Sequence, residues 1–111
     1  MSRPIWKICT DKPFKNVQLI FPTQQKDIAK LVELARKDKN IIRVIIFGSS
    51  VSKRCKPYSD IDIYYELEED KPITFCDITH PLDRWSNFMV DKGLKDEILN
   101  TGVVVYDRDL S

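Results

Sequence analysis

Asp60 and Asp62 stand one residue apart in the run Ser59-Asp60-Ile61-Asp62-Ile63-Tyr64-Tyr65. Side chains alternate along an extended strand, so the two carboxylates project from one face while Ile61 and Ile63 point to the other. Two carboxylates at this spacing present hard oxygen ligands to one or two divalent cations. Placed side by side without a cation they would repel each other, and a bound cation explains the pattern. Ten residues upstream lies Gly48-Ser49, where a strongly apolar run leaves the presumed sheet. Glycine has no Cβ, so a phosphate can approach its backbone closely. Ser49 adds a hydroxyl and an amide at the start of an expected short helix over 50–54. A helix start offers free N–H groups and positive partial charge to an anion. Lys53, Arg54 and Lys56 in the same connection are placed to balance phosphate charge. A phosphate cradle and a cation clamp therefore occur one loop apart.

A third carboxylate is expected on a neighbouring strand, to complete the metal site and accept a proton from an attacking hydroxyl. Asp77 is the candidate, because it interrupts the apolar run Phe75-Cys76-Asp77-Ile78, where a lone charge is otherwise costly. Tyr58 and Tyr64 lie close enough to the motif to contact a base, with packing as the alternative. His80 reads as a loop histidine with a satisfied hydrogen bond, or else as a proton shuttle.

The elements that must position these residues follow from periodicity. Ile28, Leu31, Val32, Leu34 and Ala35 recur at helical spacing after Thr23, which predicts an amphipathic helix over about 23–38. Ile41 to Phe47 is densely β-branched and apolar on both faces, the signature of a central buried strand. A second strand is expected over 60–67, ending in the acidic turn Glu66, Glu68, Glu69 and Asp70. A third is expected over 73–79, closed by Pro81. Trp85, Phe88 and Met89, then Leu94, Ile98 and Leu99, predict two short helices divided at Gly93, with their aromatic residues in the core. Val103 to Tyr106 forms a final strand. Residues 1–22 are expected to form an arm or hairpin packed on a single domain over 23–111. The fold class is α+β, a mixed β-sheet with flanking helices.

Composition excludes several classes. Lys and Arg number 18 against 17 Asp and Glu, so a net charge of +1 gives no long-range pull toward nucleic acid or an anionic membrane. Bulk nucleic-acid binding is not expected. The longest apolar run is the seven residues Ile41 to Phe47, interrupted by Arg43, too short to span a bilayer. The three cysteines, Cys9, Cys55 and Cys76, form no C-x-x-C pair, and the N-terminus lacks an apolar signal core. The expected location is the cytoplasm, with reduced thiols.

The run Gly48-Ser49, ten residues, then Asp60-Ile61-Asp62 resembles the signature of the DNA polymerase beta-like nucleotidyltransferase superfamily. Size and gap look most like its minimal nucleotidyltransferases, many of which are paired with a HEPN-domain protein as toxin and antitoxin. The resemblance covers residues 23–106 and implies that superfamily's core fold. It implies that Asp60, Asp62 and Asp77 bind Mg²⁺, two ions being expected, and carry catalysis with ATP as substrate. Gly48 and Ser49 would hold the phosphates, with Ser59 in the nucleotide-binding set. Many relatives carry small residues and Arg-Gly after the Gly-Ser, where this chain has Ser50-Val51-Ser52-Lys53-Arg54. Lys53 and Arg54 therefore stand as phosphate contacts on their charge alone. The implied activity is transfer of AMP from ATP to a hydroxyl of a HEPN-type partner, which would make the chain an antitoxin. Self-association is the other expected assembly. The alternatives are a small-molecule nucleotidyltransferase of the aminoglycoside-modifying type and a non-catalytic binding antitoxin.

Overall fold

A computed structural model describes residues 5–51, 59–74 and 78–110. Lys53, Arg54 and Asp77 lie outside these residues, as do Lys56, Tyr58, Cys55 and Cys76. A four-stranded mixed sheet is flanked by two helices. The strands are β1 (Ile41–Phe47), β2 (Ile61–Leu67), β3 (Leu82–Ser86) and β4 (Val103–Asp107), in the order β3-β2-β1-β4. β1 pairs antiparallel with both β2 and β4, whereas β2 and β3 run parallel. A parallel pair requires a crossover rather than a tight turn, and residues 68–81 supply it.

Helix α1 (Gln25–Lys37) forms where the apolar spacing predicts it, with a 3-10 turn at Pro22–Gln24 in front. Ile28, Leu31, Val32 and Ala35 are buried against one face of the sheet, formed by Val44, Ile46, Ile61, Ile63, Tyr65, Leu67, Val103 and Val105. Phe14, Val17 and Ile20 of the N-terminal segment are buried in the same core. Within that segment Trp6 N donates to Gln18 O at 2.8 Å. Asn16 adopts a left-handed conformation (φ 63°) and its Nδ2 donates to Val104 O on β4 at 2.8 Å. β1 shows both faces apolar because the second face is also covered. Helix α2 (Lys92–Thr101) sets the fully buried Ile98 on Ile45 and Tyr64, with Phe47, Trp85, Val90, Leu94 and Val104 around them.

Two expectations about elements are corrected. The third strand is Leu82–Ser86, and residues 73–74 and 78–79 are not in a strand. Leu82-Asp83-Arg84-Trp85 carries two charged residues between two apolar ones and forms an edge strand with no apolar alternation to mark it. The spacing of Trp85, Phe88 and Met89 imitates a helix, yet Phe88 and Met89 are 49% and 59% exposed and belong to a turn. Gly93 divides nothing. It lies in the first turn of α2, behind the N-cap Asp91, whose Oδ1 accepts from Leu94 N at 2.8 Å.

Arg43 of β1 and Glu66 of β2 are register partners and form an ion pair. Glu68 pairs with Arg108 at 2.8 Å, and Glu69 with Lys71 at 2.6 Å. The acidic turn after β2 is thus a set of structural contacts. Asn40 holds it, accepting from Glu69 N at 2.8 Å and donating to Glu69 O at 3.0 Å.

Candidate active site

β1 delivers its last residue, Phe47, opposite Asp62 of β2, and β2 in turn sets Asp62 opposite Asp83 of β3. Paired residues share a face, so Asp62 and Asp83 stand side by side on the same surface of the sheet. It is the face covered by α2, one row beyond buried Ile45 and Tyr64 and half-buried Trp85. Asp60 is exposed at the start of β2, where the next residue, Ile61, donates its N–H to Pro81 O at 2.9 Å. Ile61 and Ile63 are buried on the opposite face, as the alternation requires.

After Phe47 the chain turns through Gly48 at φ +68° into the 3-10 turn Gly48–Val51, which contains Ser49. Positive φ alone favours glycine here. The second reason is contact: a Cβ on residue 48 would overlap Asp62 Oδ2 and lie 3.1 Å from its Cγ. The carboxylate of Asp62 therefore occupies the space that the missing side chain leaves. The turn read as a phosphate cradle and the strand read as a cation clamp are in direct contact.

Ser59 is half-buried, and its carbonyl accepts from Gln24 Nε2 at 3.0 Å. Lys53, Arg54 and Asp77 lie outside the described residues. Asp83 escaped the sequence reading because the helical spacing around Trp85 concealed its strand. The signal available was Asp83 itself, a carboxylate between Leu82 and Arg84 shortly after Pro81. Among the described residues no three His, Cys, Asp or Glu side chains gather closely enough to enclose a metal ion. The carboxylates instead lie open, Asp62 and Asp83 side by side across two strands and Asp60 exposed just ahead of β2. An open row of carboxylate oxygens, with a side-chain-free turn against it, fits a hard cation that keeps part of its coordination for phosphate oxygens.

Tyr64 is fully buried beneath α2, so it is no base-stacking platform. Burial pushes its hydroxyl up to about 12, with the Glu66 carboxylate adding to the shift. Among the described residues that hydroxyl makes no hydrogen bond. His80 is held rather than loose, its Nδ1 lying 2.6 Å from Asp27 Oδ2.

The family model described as Polymerase beta, Nucleotidyltransferase matches residues 29–111, and the chain belongs to that family. No curated protein matches it. Membership carries a role in nucleotidyl transfer, and the four-stranded mixed sheet with two helices agrees with it. Among the described residues no helix is long and apolar enough to cross a membrane.

Proposed function

We propose that this domain transfers AMP from ATP to a hydroxyl of a partner protein, with Mg²⁺ held by Asp60, Asp62 and a third carboxylate. The observation that carries the reading is the contact between Gly48 and Asp62, which sets the turn read as a phosphate cradle against the carboxylate read as a cation ligand. Gly48 and Ser49 receive the β- and γ-phosphates through backbone N–H groups, with Ser59 beside the triphosphate and Lys53 and Arg54 supplying positive charge. When bound, Mg²⁺ neutralises triphosphate charge and stabilises the oxygens that enter and leave phosphorus. The acceptor oxygen forms a bond to the α-phosphorus as the bond to pyrophosphate breaks. Its proton passes to a carboxylate of the row.

The third carboxylate is Asp83, on the strength of its register with Asp62. Asp77 is the alternative that the apolar run around it suggests. The acceptor is a tyrosine hydroxyl of a HEPN-type protein, by the resemblance to minimal nucleotidyltransferases, and the chain then acts as an antitoxin. Incubation with α-labelled ATP, Mg²⁺ and such a partner tests this reading. Label should move to the partner protein from the α position and not from the γ position. Label from the γ position would identify a kinase, and no label from either would remove catalysis from the proposal.

A further inference from the structure

β2 and β3 are parallel, so no tight turn sets their register. A slip of one residue would send Asp83 to the opposite face. Two buried polar side chains at the start of α1 reach these strands just before each joins the sheet. Gln24 is fully buried and donates from Nε2 to Ser59 O at 3.0 Å and to Asp60 O at 3.5 Å. Asp27 is 3% exposed and serves the other strand through a single oxygen. Its Oδ2 accepts from Thr79 N at 3.0 Å, Thr79 Oγ1 at 2.8 Å, His80 N at 2.9 Å and His80 Nδ1 at 2.6 Å. Residues three apart on a helix lie on one face. Three residues advance a helix by about 4.5 Å, comparable with the ~4.8 Å between neighbouring strands. The bond from Ile61 N to Pro81 O ties the two strand starts to each other.

Stability alone does not explain Gln24. Its Oε1 is buried and, among the described residues, accepts no hydrogen bond. An orphaned buried acceptor costs about 1–3 kcal/mol, so an apolar side chain of equal length would serve packing as well or better. Exchanging the two ends of the amide would set Oε1 against two carbonyl oxygens, which fixes the orientation. What Gln24 supplies that an apolar residue cannot is a donor aimed at the peptide that carries Asp60.

We propose that Gln24 and Asp27 are positioning residues, a two-armed brace at the N-terminus of α1 that sets the register of the carboxylate-bearing strands and so keeps Asp62 beside Asp83 for cation binding, with Asp60 just ahead of β2. The brace rests on the reading of those carboxylates given above. Neither side chain touches reacting atoms. Both precede residue 29, where the family match begins.

Gln24→Met removes the donor and the orphaned acceptor together at nearly constant length. Its urea midpoint should equal or exceed that of the parent chain, while Mn²⁺ binding weakens by about tenfold or more. Mn²⁺ affinity is read from paramagnetic broadening of amide signals, without nucleotide. Transfer should show a lower kcat with little change in KM for ATP. Asp27→Asn, which keeps an uncharged acceptor at the same place, should weaken Mn²⁺ binding in the same direction. Cross-strand nuclear Overhauser contacts between residues 62 and 83, measured without metal, should be present in the parent and weaker in both variants. A Gln24→Met chain that loses stability yet binds Mn²⁺ as the parent does would make Gln24 a packing residue and overturn the proposal. Parent-like Mn²⁺ binding, kcat and contacts in both variants would overturn it equally. If the parent transfers no nucleotide while the Mn²⁺ and contact changes appear, the activity reading fails and the brace stands.

Discussion

Gly48 joins two constraints in one residue, a positive φ and contact with a carboxylate. Gly48→Ala meets both. The left-handed backbone costs a residue with a Cβ about 1–2 kcal/mol, and the new methyl must also displace Asp62. Chemical denaturation should show a loss of at least that size, and nucleotide transfer should be abolished. Tyr64 is the opposite case, a buried group whose polar end has nothing to do among the described residues. Tyr64→Phe should leave stability unchanged or raise it by about 1 kcal/mol, because an unsatisfied hydroxyl is removed. The pH dependence provides a second measure. The folded-state value of Tyr64 lies above that of an unfolded tyrosine, so its contribution to stability is fully present below about pH 10. It is lost as pH rises through about 12. Tyr64→Phe should lose less stability across that alkaline window, as read from urea midpoints at a series of pH values.

At the scale of elements, the decisive contrast is between two carboxylates. Asp83→Asn should abolish transfer while leaving the metal-free fold as stable as before, since one member of a like-charged row is neutralised at almost constant volume. Asp77→Asn should retain transfer. The reverse result would return the third carboxylate to Asp77. Much of the fold was legible because burial imposes a period on the chain. α1, β1 and β2 follow the apolar spacing of Ile28 to Ala35, Ile41 to Phe47, and Ile61 with Ile63. β3 was not legible. It is a five-residue edge strand in which only Ser86 is buried, so burial imposes little pattern on it. Trp85, Phe88 and Met89 meanwhile supplied a false helical one. The Gly48–Asp62 contact could be anticipated only as two motifs one loop apart, because register between strands is set by tertiary packing. The roles of Gln24 and Asp27 left no mark at all. Polar residues in the first turn of a helix ordinarily face water, and only the structure shows these two buried.

For the whole molecule, Asp27 links the site to acid stability. Burial pushes its carboxyl up, but the hydrogen bonds from His80 and Thr79 outweigh burial and hold it below the usual carboxylate range. A depressed folded-state value contributes stability that is present above the unfolded value, near pH 4, and is lost as pH falls through the depressed one. Asp27→Asn should therefore be less stable than the parent at neutral pH and lose less on acidification below about pH 4. Thermal melts across that range measure the difference. The N-terminal segment belongs to the same system, since Gln25 donates to Lys7 O at 2.8 Å and to Ile20 O at 3.0 Å, and accepts from Cys9 N. Consecutive residues at one helix start thus hold the N-terminal segment through Gln25 and β2 through Gln24. Asp27, two positions on, holds the chain before β3.

The bond from Asn16 to Val104 also bears on how copies of this chain meet. β4 is the last strand on its side of the sheet, and the unpaired backbone of such a strand is a template on which a foreign strand can grow. Asn16 occupies one of its acceptors, with Phe14 and Val17 buried just beside it in the sequence. A strand added at β4 would have to displace that bond, so the N-terminal segment works as a chain terminator at this one acceptor of the sheet.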